Sequence, residues 1–254
     1  MSNLISMGSC PHCLGGVKSP CFATYVDGWK CFSCGVSKSY NSHRMAIMGR
    51  KRLEIKRGVV IPQHTRNPQQ FAPSVLKWLY KYYVFDDLIK KHRIGFIEGS
   101  NSLLCNVIKD NEIVFAQTRS FPDKRIIGIG EKQLYKIENG YKKVVIVEDY
   151  VSAIRLAELS VDAICLFGTS IHISEISVLL DKYNSISIWL DNDDAGIRGS
   201  KKLLKAFNEQ INQNKSRFPL KYTQDWVITN INTNQDPKCY STEELEGYLY
   251  DQSR

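Results

Sequence analysis

The carboxyl-terminal half of the chain alternates short hydrophobic runs with segments in which apolar residues recur every three or four positions. Four hydrophobic runs predict strands, at residues 144–147, 163–167, 186–190 and 225–231. Three periodic segments predict helices, at residues 152–159, 171–182 and 199–210. Because regular alternation of strand and helix is typical of a parallel sheet covered on both faces, we expect an α/β domain here.

The region before this domain has a different pattern. Residues 73–92 fit two short amphipathic helices, and residues 103–108 and 112–117 fit the two strands of a hairpin that turns at residues 109–111. A short strand at residues 59–61 is also predicted, inside a stretch that is rich in lysine, arginine and proline. The middle of the chain is therefore predicted to be mixed α+β.

Acidic residues follow two of the predicted strands. Glu148 follows the run at residues 144–147, and Asp191 and Asp193 follow the run that ends at Leu190. Because the carboxyl ends of parallel strands meet at one edge of a sheet, these carboxylates should lie close together, where they repel one another. A divalent cation with oxygen ligands relieves that repulsion, so the pattern predicts a magnesium site.

Two closely spaced cysteine pairs near the amino terminus have the spacing of zinc ligands. Cys10 and Cys13 form one pair, Cys31 and Cys34 form the other, and 17 residues separate the pairs. This spacing predicts a zinc ribbon with one structural Zn²⁺ per chain, rather than disulfides or merely buried thiols. His12 and Cys21 are alternatives for one of the four ligands.

The charge is distributed unevenly along the chain. The net charge of +8 arises from +8 in residues 1–70, +5 in residues 71–143 and −5 in residues 144–254. A basic amino-terminal part and an acidic carboxyl-terminal part suggest that the protein acts on a polyanion, which the basic part binds and the acidic part modifies. The chain lacks the apolar run of a membrane span or a signal peptide, and its other cysteines are scattered, so we expect a cytoplasmic protein.

These observations together divide the chain into four parts. Residues 1–42 form the zinc module, and residues 43–70 form a basic linker. Residues 71–140 form a basic α+β subdomain, and residues 141–254 form the α/β domain.

Three motifs surround the predicted acidic site: Val147-Glu148, Phe167-Gly168-Thr169-Ser170 and the segment from Asp191 to Gly196. They are similar to the signatures of the Toprim domain, and the chain resembles the DnaG-type and bacteriophage primases. The cysteine module is similar to a primase zinc ribbon, and Gln133-Leu134-Tyr135 is similar to the end of the basic subdomain. The order of zinc ribbon, basic subdomain and Toprim domain is more specific than any single motif. No phosphate-binding loop of a helicase motor is present in the sequence.

The resemblance implies an enzyme that makes short RNA primers on single-stranded DNA by metal-dependent nucleotidyl transfer. It implies catalytic and metal-binding roles for Glu148, Asp191 and Asp193 with Mg²⁺ or Mn²⁺, and a further metal-binding role for Asp236 in Asp236-Pro237. The chain departs from the family pattern directly after the glutamate, where it has Asp149 and, three positions later, Ser152. Asp149 is left out of the predicted metal set.

The resemblance also places basic residues of the middle region across the cleft from the acids. Five residues are predicted to contact nucleotide or primer: Arg119, Lys124, Arg125, Lys132 and Lys136. Aromatic rings beside cations grip single-stranded bases, and three residues of the zinc module are predicted to bind template: Tyr25, Trp29 and Lys30. A small zinc module also needs a core, and we expect Phe22 and Phe32 to be packed inside it.

Two other classes of function remain open. A RecR-like recombination mediator also combines a four-cysteine zinc site with a Toprim domain, but it binds DNA without catalysis. A Toprim nuclease would use the same acids to cleave nucleic acid. For a primase we expect ribonucleoside triphosphates as substrates, a separate helicase or polymerase as a partner and, if a phage encodes the protein, the cytoplasm of the host cell.

Overall fold

The structure is a computed structural model that describes residues 4–11, 20–25, 28–34, 36–39, 59–217 and 225–250. The chain divides into two compact units, Met1–Arg57 and Gly58–Arg254. The point of division lies inside the segment that the sequence predicts to be a basic linker. None of the helices in the described part of the chain is long and apolar enough to cross a membrane.

The first unit contains a four-stranded antiparallel sheet. Its strands pair in chain order and are β1 (Leu4–Gly8), β2 (Phe22–Tyr25), β3 (Gly28–Cys31) and β4 (Ser37–Ser39). Ala23 on β2 and Cys31 on β3 are fully buried, so this small sheet has few apolar side chains inside. A domain with so little core needs a metal or another crosslink for stability, which agrees with a cysteine-bound ion.

The second unit begins with two helices and an antiparallel sheet. The helices are α1 (Pro73–Lys81) and α2 (Asp86–Lys91), and the strands are β5 (Gly95–Ile97), β6 (Ser102–Lys109), β7 (Glu112–Ser120) and β8 (Ile126–Gly130), paired in that order. The predicted hairpin is confirmed. Asp110 and Asn111 turn it with φ angles of 51° and 63°, a left-handed conformation that suits a two-residue hairpin loop.

The strand predicted at residues 59–61 is wrong. These residues are irregular, and the backbone pairing of the segment that follows them with this sheet is an isolated bridge between Thr65 and Phe96 among the described residues. Val60 is largely exposed, whereas Ile61 packs beside Leu104 on one face of the sheet. Three adjacent β-branched residues suggested a strand, but no neighbouring strand is hydrogen-bonded to them within the described residues.

The predicted α/β domain is confirmed. Its sheet has the order β13-β12-β10-β11-β9, and its strands are β9 (Tyr135–Ile137), β10 (Lys143–Val147), β11 (Asp162–Cys165), β12 (Ser185–Ile188) and β13 (Val227–Asn230). All neighbours are parallel except β9, which runs antiparallel to β11. The helices are α3 (Tyr150–Ala157), α4 (Ile173–Lys182), α5 (Asp194–Arg217) and α6 (Thr242–Tyr250).

The central strand β10 is buried on both of its faces. Val145 and Val147 point into a core that includes α3 and extends to α1, α2 and β6. Val144 and Ile146 point to the opposite side, where α4 and α5 pack. Burying one such side chain contributes about 1.5–3 kcal/mol, compared with about 0–1 kcal/mol for an exposed ion pair. These two cores, rather than surface charge, therefore hold the ends of the parallel strands in place.

Candidate active site

The acids predicted from the sequence lie at the carboxyl ends of adjacent parallel strands. Glu148 follows β10 directly, and Asp191 lies three residues beyond the end of β12. The backbone keeps these segments in register, because the Trp189 N–H donates to the Ile146 carbonyl at 2.8 Å and the Gly168 N–H donates to the Glu148 carbonyl at 3.2 Å. The turns after β10, β11 and β12 therefore meet at one edge of the sheet, as the sequence predicts.

Glu148 and Asp191 each present a buried oxygen to this edge. Glu148 Oε2 and Asp191 Oδ1 have no hydrogen-bond partner among the described residues. Burial raises the pKa of Glu148, and Asp193 and Asp149 raise it further. Burial, followed by the charge of Asp149, raises the pKa of Asp191 to about 7. A hard divalent cation such as Mg²⁺ fits here, because it would offset the repulsion between the carboxylates and bind the buried oxygens that have no partner.

Asp193 occupies the start of helix α5. Its Oδ1 accepts a hydrogen bond from the Gly196 N–H at 2.7 Å, so one of its oxygens stabilises the first turn of the helix. Gly196 is buried against the turn that carries Asp191, and a Cβ at this glycine would lie 2.0 Å from the Asp191 carbonyl oxygen. The glycine thus permits the close contact between the helix and the acidic turn.

Asp236 joins the cluster from the segment that follows β13. Its Oδ1 accepts from the Asn192 N–H at 3.3 Å, and its Oδ2 accepts from the Lys238 ammonium at 2.8 Å. The structure therefore brings all four residues of the predicted magnesium set to the same edge of the sheet. It also gives Asp236 a lysine partner that the sequence interpretation did not include.

Lys238 is the site residue that sequence reasoning missed. Its Nζ lies 3.0 Å from Asp149 Oδ2 and 3.6 Å from Asp191 Oδ2, and its side chain is 11% exposed. Burial disfavours the charged ammonium, but Asp149, Asp191 and Asp236 outweigh that effect and hold the pKa of Lys238 above its ordinary value. The sequence signal was its position two residues after Asp236, in the Asp-Pro element already under consideration.

Asp149 is committed to structural contacts. Its Oδ1 accepts from the N–H groups of Val151 and Ser152 at 2.9 and 3.1 Å, and it caps helix α3. Its Oδ2 accepts from the Ser152 hydroxyl at 2.7 Å and from Lys238. Since both oxygens accept hydrogen bonds from the protein, the geometry supports leaving Asp149 out of the metal set. The two residues that depart from the family pattern, Asp149 and Ser152, are hydrogen-bonded to each other.

A cavity of about 190 Å³ opens beside Glu148 and Asp191. The opposite wall comes from α1 and the β7–β8 region and includes Trp78, Gln117 and Arg119. The Arg119 guanidinium lies 4.7 Å from the centroid of the Trp78 ring, and its buried Nε has no partner among the described residues. A stacked, partly unpartnered guanidinium that faces acids across a cavity is suited to holding a phosphate group.

The other basic residues predicted to contact nucleotide are placed differently. Lys124 and Arg125 are exposed in the turn between β7 and β8. Lys132 approaches the turn after β11, where its Nζ would lie 3.3 Å from a Cβ at Gly168. Lys136 forms an ion pair with Glu175 at 2.8 Å. Among these five residues, Arg119 is the one that lines the cavity of the acids.

The predicted zinc ligands converge in the first unit. Ligand atoms of Cys10, Cys31 and Cys34 all lie within 4.8 Å of one another, the only such group of three or more found in the described part of the chain. The backbone N–H of Cys34 lowers the pKa of Cys31 to about 6, which favours the thiolate form that binds metal. Three converging thiols fit Zn²⁺. Cys13 and His12 lie outside the described residues, and Cys21 Sγ is 3.8 Å from Cys31 Sγ.

The aromatic residues of this unit differ in part from expectation. Phe22 is half-buried and packs against Trp29 with ring centroids 5.1 Å apart. The prediction that Phe32 is packed inside is wrong, since Phe32 is 59% exposed. The exposed Lys30 lies over its ring, 5.8 Å from the centroid. Tyr25 and Trp29 are half-buried, so the exposed cation and ring of this surface belong to Lys30 and Phe32.

Comparison with known proteins agrees with this geometry. Residues 145–227 match the Toprim-like family model, which covers β10 to the start of β13. The primase fragment of the bacteriophage T7 primase-helicase protein superposes with a TM-score of 0.53 at 13% identity, covering 99% of this chain and 100% of that one. The zinc-binding and RNA polymerase domains of the Aquifex aeolicus primase superpose with a TM-score of 0.54 at 14% identity, covering 98% and 80%.

The chain has the fold of the DnaG-type primases. A DnaG primase catalytic domain bound to ssDNA superposes with a TM-score of 0.55 at 16% identity, covering 74% of each chain. Comparison with curated protein sequences finds no match. The similarity to the primase fold extends over both units of the chain, and Glu148, Asp191 and Asp193 lie within the residues that match the Toprim-like model.

Proposed function

We propose that the protein is a DNA primase, a nucleotidyltransferase that synthesises short RNA primers on single-stranded DNA. The observation that supports this most strongly is the primase fold over nearly the whole chain, combined with the acids that line a cavity opposite Arg119. A recombination mediator that only binds DNA has no need for buried, unpartnered carboxylate oxygens such as those of Glu148 and Asp191.

The residues would divide the work of nucleotidyl transfer among them. Glu148, Asp191 and Asp193 would hold Mg²⁺ or Mn²⁺, and Asp236 would support them from the segment after β13. A bound divalent ion supplies charge stabilisation for phosphoryl transfer and lowers the pKa of a coordinated hydroxyl. Arg119 would hold the triphosphate across the cavity from the acids, and its stacking on Trp78 fixes the guanidinium in place.

The basic residues outside the cavity and the zinc unit would bind nucleic acid. Lys124, Arg125, Lys132 and Lys136 would contact the primer, nucleotide or template backbone. Tyr25, Trp29 and Lys30 would bind template bases, with one structural Zn²⁺ held by Cys10, Cys13, Cys31 and Cys34. A separate replicative helicase or polymerase would be the protein partner, and the reaction would take place in the cytoplasm, where replicating DNA is available.

An RNA synthesis assay tests the proposal directly. The purified chain, single-stranded DNA templates, labelled ribonucleoside triphosphates and Mg²⁺ or Mn²⁺ should yield short RNA, and Asp191→Asn should lower the yield by at least about a hundred-fold. Template binding, measured by fluorescence anisotropy, should change less than about three-fold in the same variant. Intact binding without RNA on any template would support the mediator instead. Degradation of the template that depends on Asp191 would support a nuclease.

A further inference from the structure

The ammonium of Lys238 lies where a metal ion would be expected to lie in a cluster of acids. Three carboxylates surround it, with Asp236 at 2.8 Å, Asp149 at 3.0 Å and Asp191 at 3.6 Å. An ammonium group has three N–H donors, and here Asp149 and Asp236 accept hydrogen bonds from it while Asp191 forms a longer ion pair with it. Within the described part of the chain, no three of these acids have ligand oxygens that all lie within 4.8 Å of one another.

The other contacts of these acids show which oxygens remain for a metal. Both oxygens of Asp149 and both oxygens of Asp236 accept hydrogen bonds from the protein. Glu148 Oε2 and Asp191 Oδ1 are buried and have no partner among the described residues. Mg²⁺ commonly binds through one or two carboxylates and keeps several waters, so these two oxygens suffice for one ion.

The segment that carries Lys238 is held in place by its neighbours. Pro237–Cys239 forms a turn of 3₁₀ helix, and the buried Arg155 donates to the Tyr240 carbonyl at 3.2 Å. The Gln235 N–H donates to the Tyr240 hydroxyl at 3.1 Å. Lys238 Nζ also lies 5.9 Å from the centroid of the Tyr82 ring. These contacts fix the backbone on both sides of the lysine, and they therefore hold its ammonium in a defined position among the acids.

We propose that the Lys238 ammonium permanently occupies one cation position of the acid cluster, so that Glu148, Asp191 and Asp193 hold a single divalent ion. Lys238 is then a positioning residue, because it neutralises Asp149 and Asp236 and turns the free oxygen of Asp191 toward the ion. The role of the ion in RNA synthesis rests on the proposed function, whereas the number of ions bound does not depend on it.

Manganese binding to the zinc-loaded full chain, without nucleotide or template, tests this proposal. Electron paramagnetic resonance titration should count one Mn²⁺ per wild-type chain. Lys238→Met removes the ammonium from the Oδ2 atoms of Asp149 and Asp236 and so vacates a second cation position, and bound Mn²⁺ at saturation should approximately double. Lys238→Arg keeps the cation and should still bind one ion. Lys202→Met removes an exposed lysine of α5 outside the cluster and should also leave the count at one.

Two results would overturn the proposal. One is a wild-type chain that already binds two Mn²⁺ ions at this centre, with both lost in Asp191→Asn, a result that does not depend on the folding of any Lys238 variant. The other is a Lys238→Met variant with an unchanged circular dichroism spectrum that still binds one ion. A wild type with one ion and a folded Lys238→Met with two, in a protein that makes no RNA, would keep the single-ion centre and refute the primase function.

Discussion

The contribution of Asp191 to the free energy of unfolding depends on pH. Its pKa rises from 3.8 to about 7 because the carboxyl is buried and lies near Asp149, Asp236 and Glu148. Between these two values the folded state binds a proton that the unfolded state has released. The stability contributed by this residue therefore falls as pH rises from about 4 to about 7, and the full cost is present above that range.

Replacing Asp191 with asparagine should remove this cost. Without added Mg²⁺ or Mn²⁺, Asp191→Asn should raise the melting temperature relative to wild type by a few degrees at pH 8, and by much less at pH 5. Adding Mg²⁺ should stabilise the wild type and not the variant. Asp123→Asn, at an exposed position between β7 and β8, serves as the control and should show no trend with pH. Equal gains at both pH values would contradict this account.

The proposed contact of Arg119 with the triphosphate depends on the shape of the guanidinium as well as on its charge. Trp78 lies under the guanidinium at 4.7 Å from the ring centroid, and Phe121 lies at 5.9 Å. Lysine preserves the charge but loses the planar stacking and the forked donors. Arg119→Lys should therefore raise the KM for ribonucleoside triphosphates about ten-fold with a smaller change in kcat. Arg66→Lys, an exposed arginine outside the cavity, should leave both constants unchanged.

At the scale of secondary-structure elements, the acidic turn depends on the start of helix α5. A Cβ at Gly196 would meet the Asp191 carbonyl oxygen at 2.0 Å and the Asp191 carbonyl carbon at 3.0 Å. These are backbone atoms, so neither can rotate away as a side chain would. A side chain at this position would therefore displace either the start of α5, next to Asp193, or the turn that carries Asp191.

Gly196→Ala should therefore reduce both stability and activity. We expect a loss of about 1–3 kcal/mol in the free energy of unfolding and a large loss of primer synthesis. Gly99→Ala is the matched control, because a Cβ at Gly99 would have no atom within 4 Å. Chemical denaturation of the two variants and the wild type measures the difference. A Gly196→Ala protein as stable and active as Gly99→Ala would show that the close contact is unimportant.

The same elements show what a sequence pattern can and cannot predict. The buried strands β10 and β12 were predictable because continuous hydrophobic runs mark strands covered on both faces. Strands β8 and β9 were missed, since β8 is mostly exposed and β9 is a three-residue edge strand. Lys238 was missed because two of its three acidic partners, Asp149 and Asp191, are distant in sequence: Asp149 precedes it by 89 residues, and only the packed fold brings them together.

At the scale of the whole molecule, the two units rely on different sources of stability. The second unit contains two large hydrophobic clusters that include α1, α3, α4 and the parallel strands. The first unit has few buried apolar side chains, namely Ala23 and the cysteines Cys10 and Cys31 among its described residues. A metal bound by thiolates can supply the folding free energy that such a small core lacks.

Zinc removal should therefore unfold the first unit and leave the second one folded. The protein should contain about one equivalent of zinc per chain, and Cys31→Ser should lose most of it. Hydrogen exchange should then become fast in β2 and β3 and stay slow in β10, because β10 is buried between its own hydrophobic cores. Cys239→Ser, in the second unit, should retain the zinc. A zinc-free protein whose β2 and β3 amides remain protected would contradict a structural role for the metal.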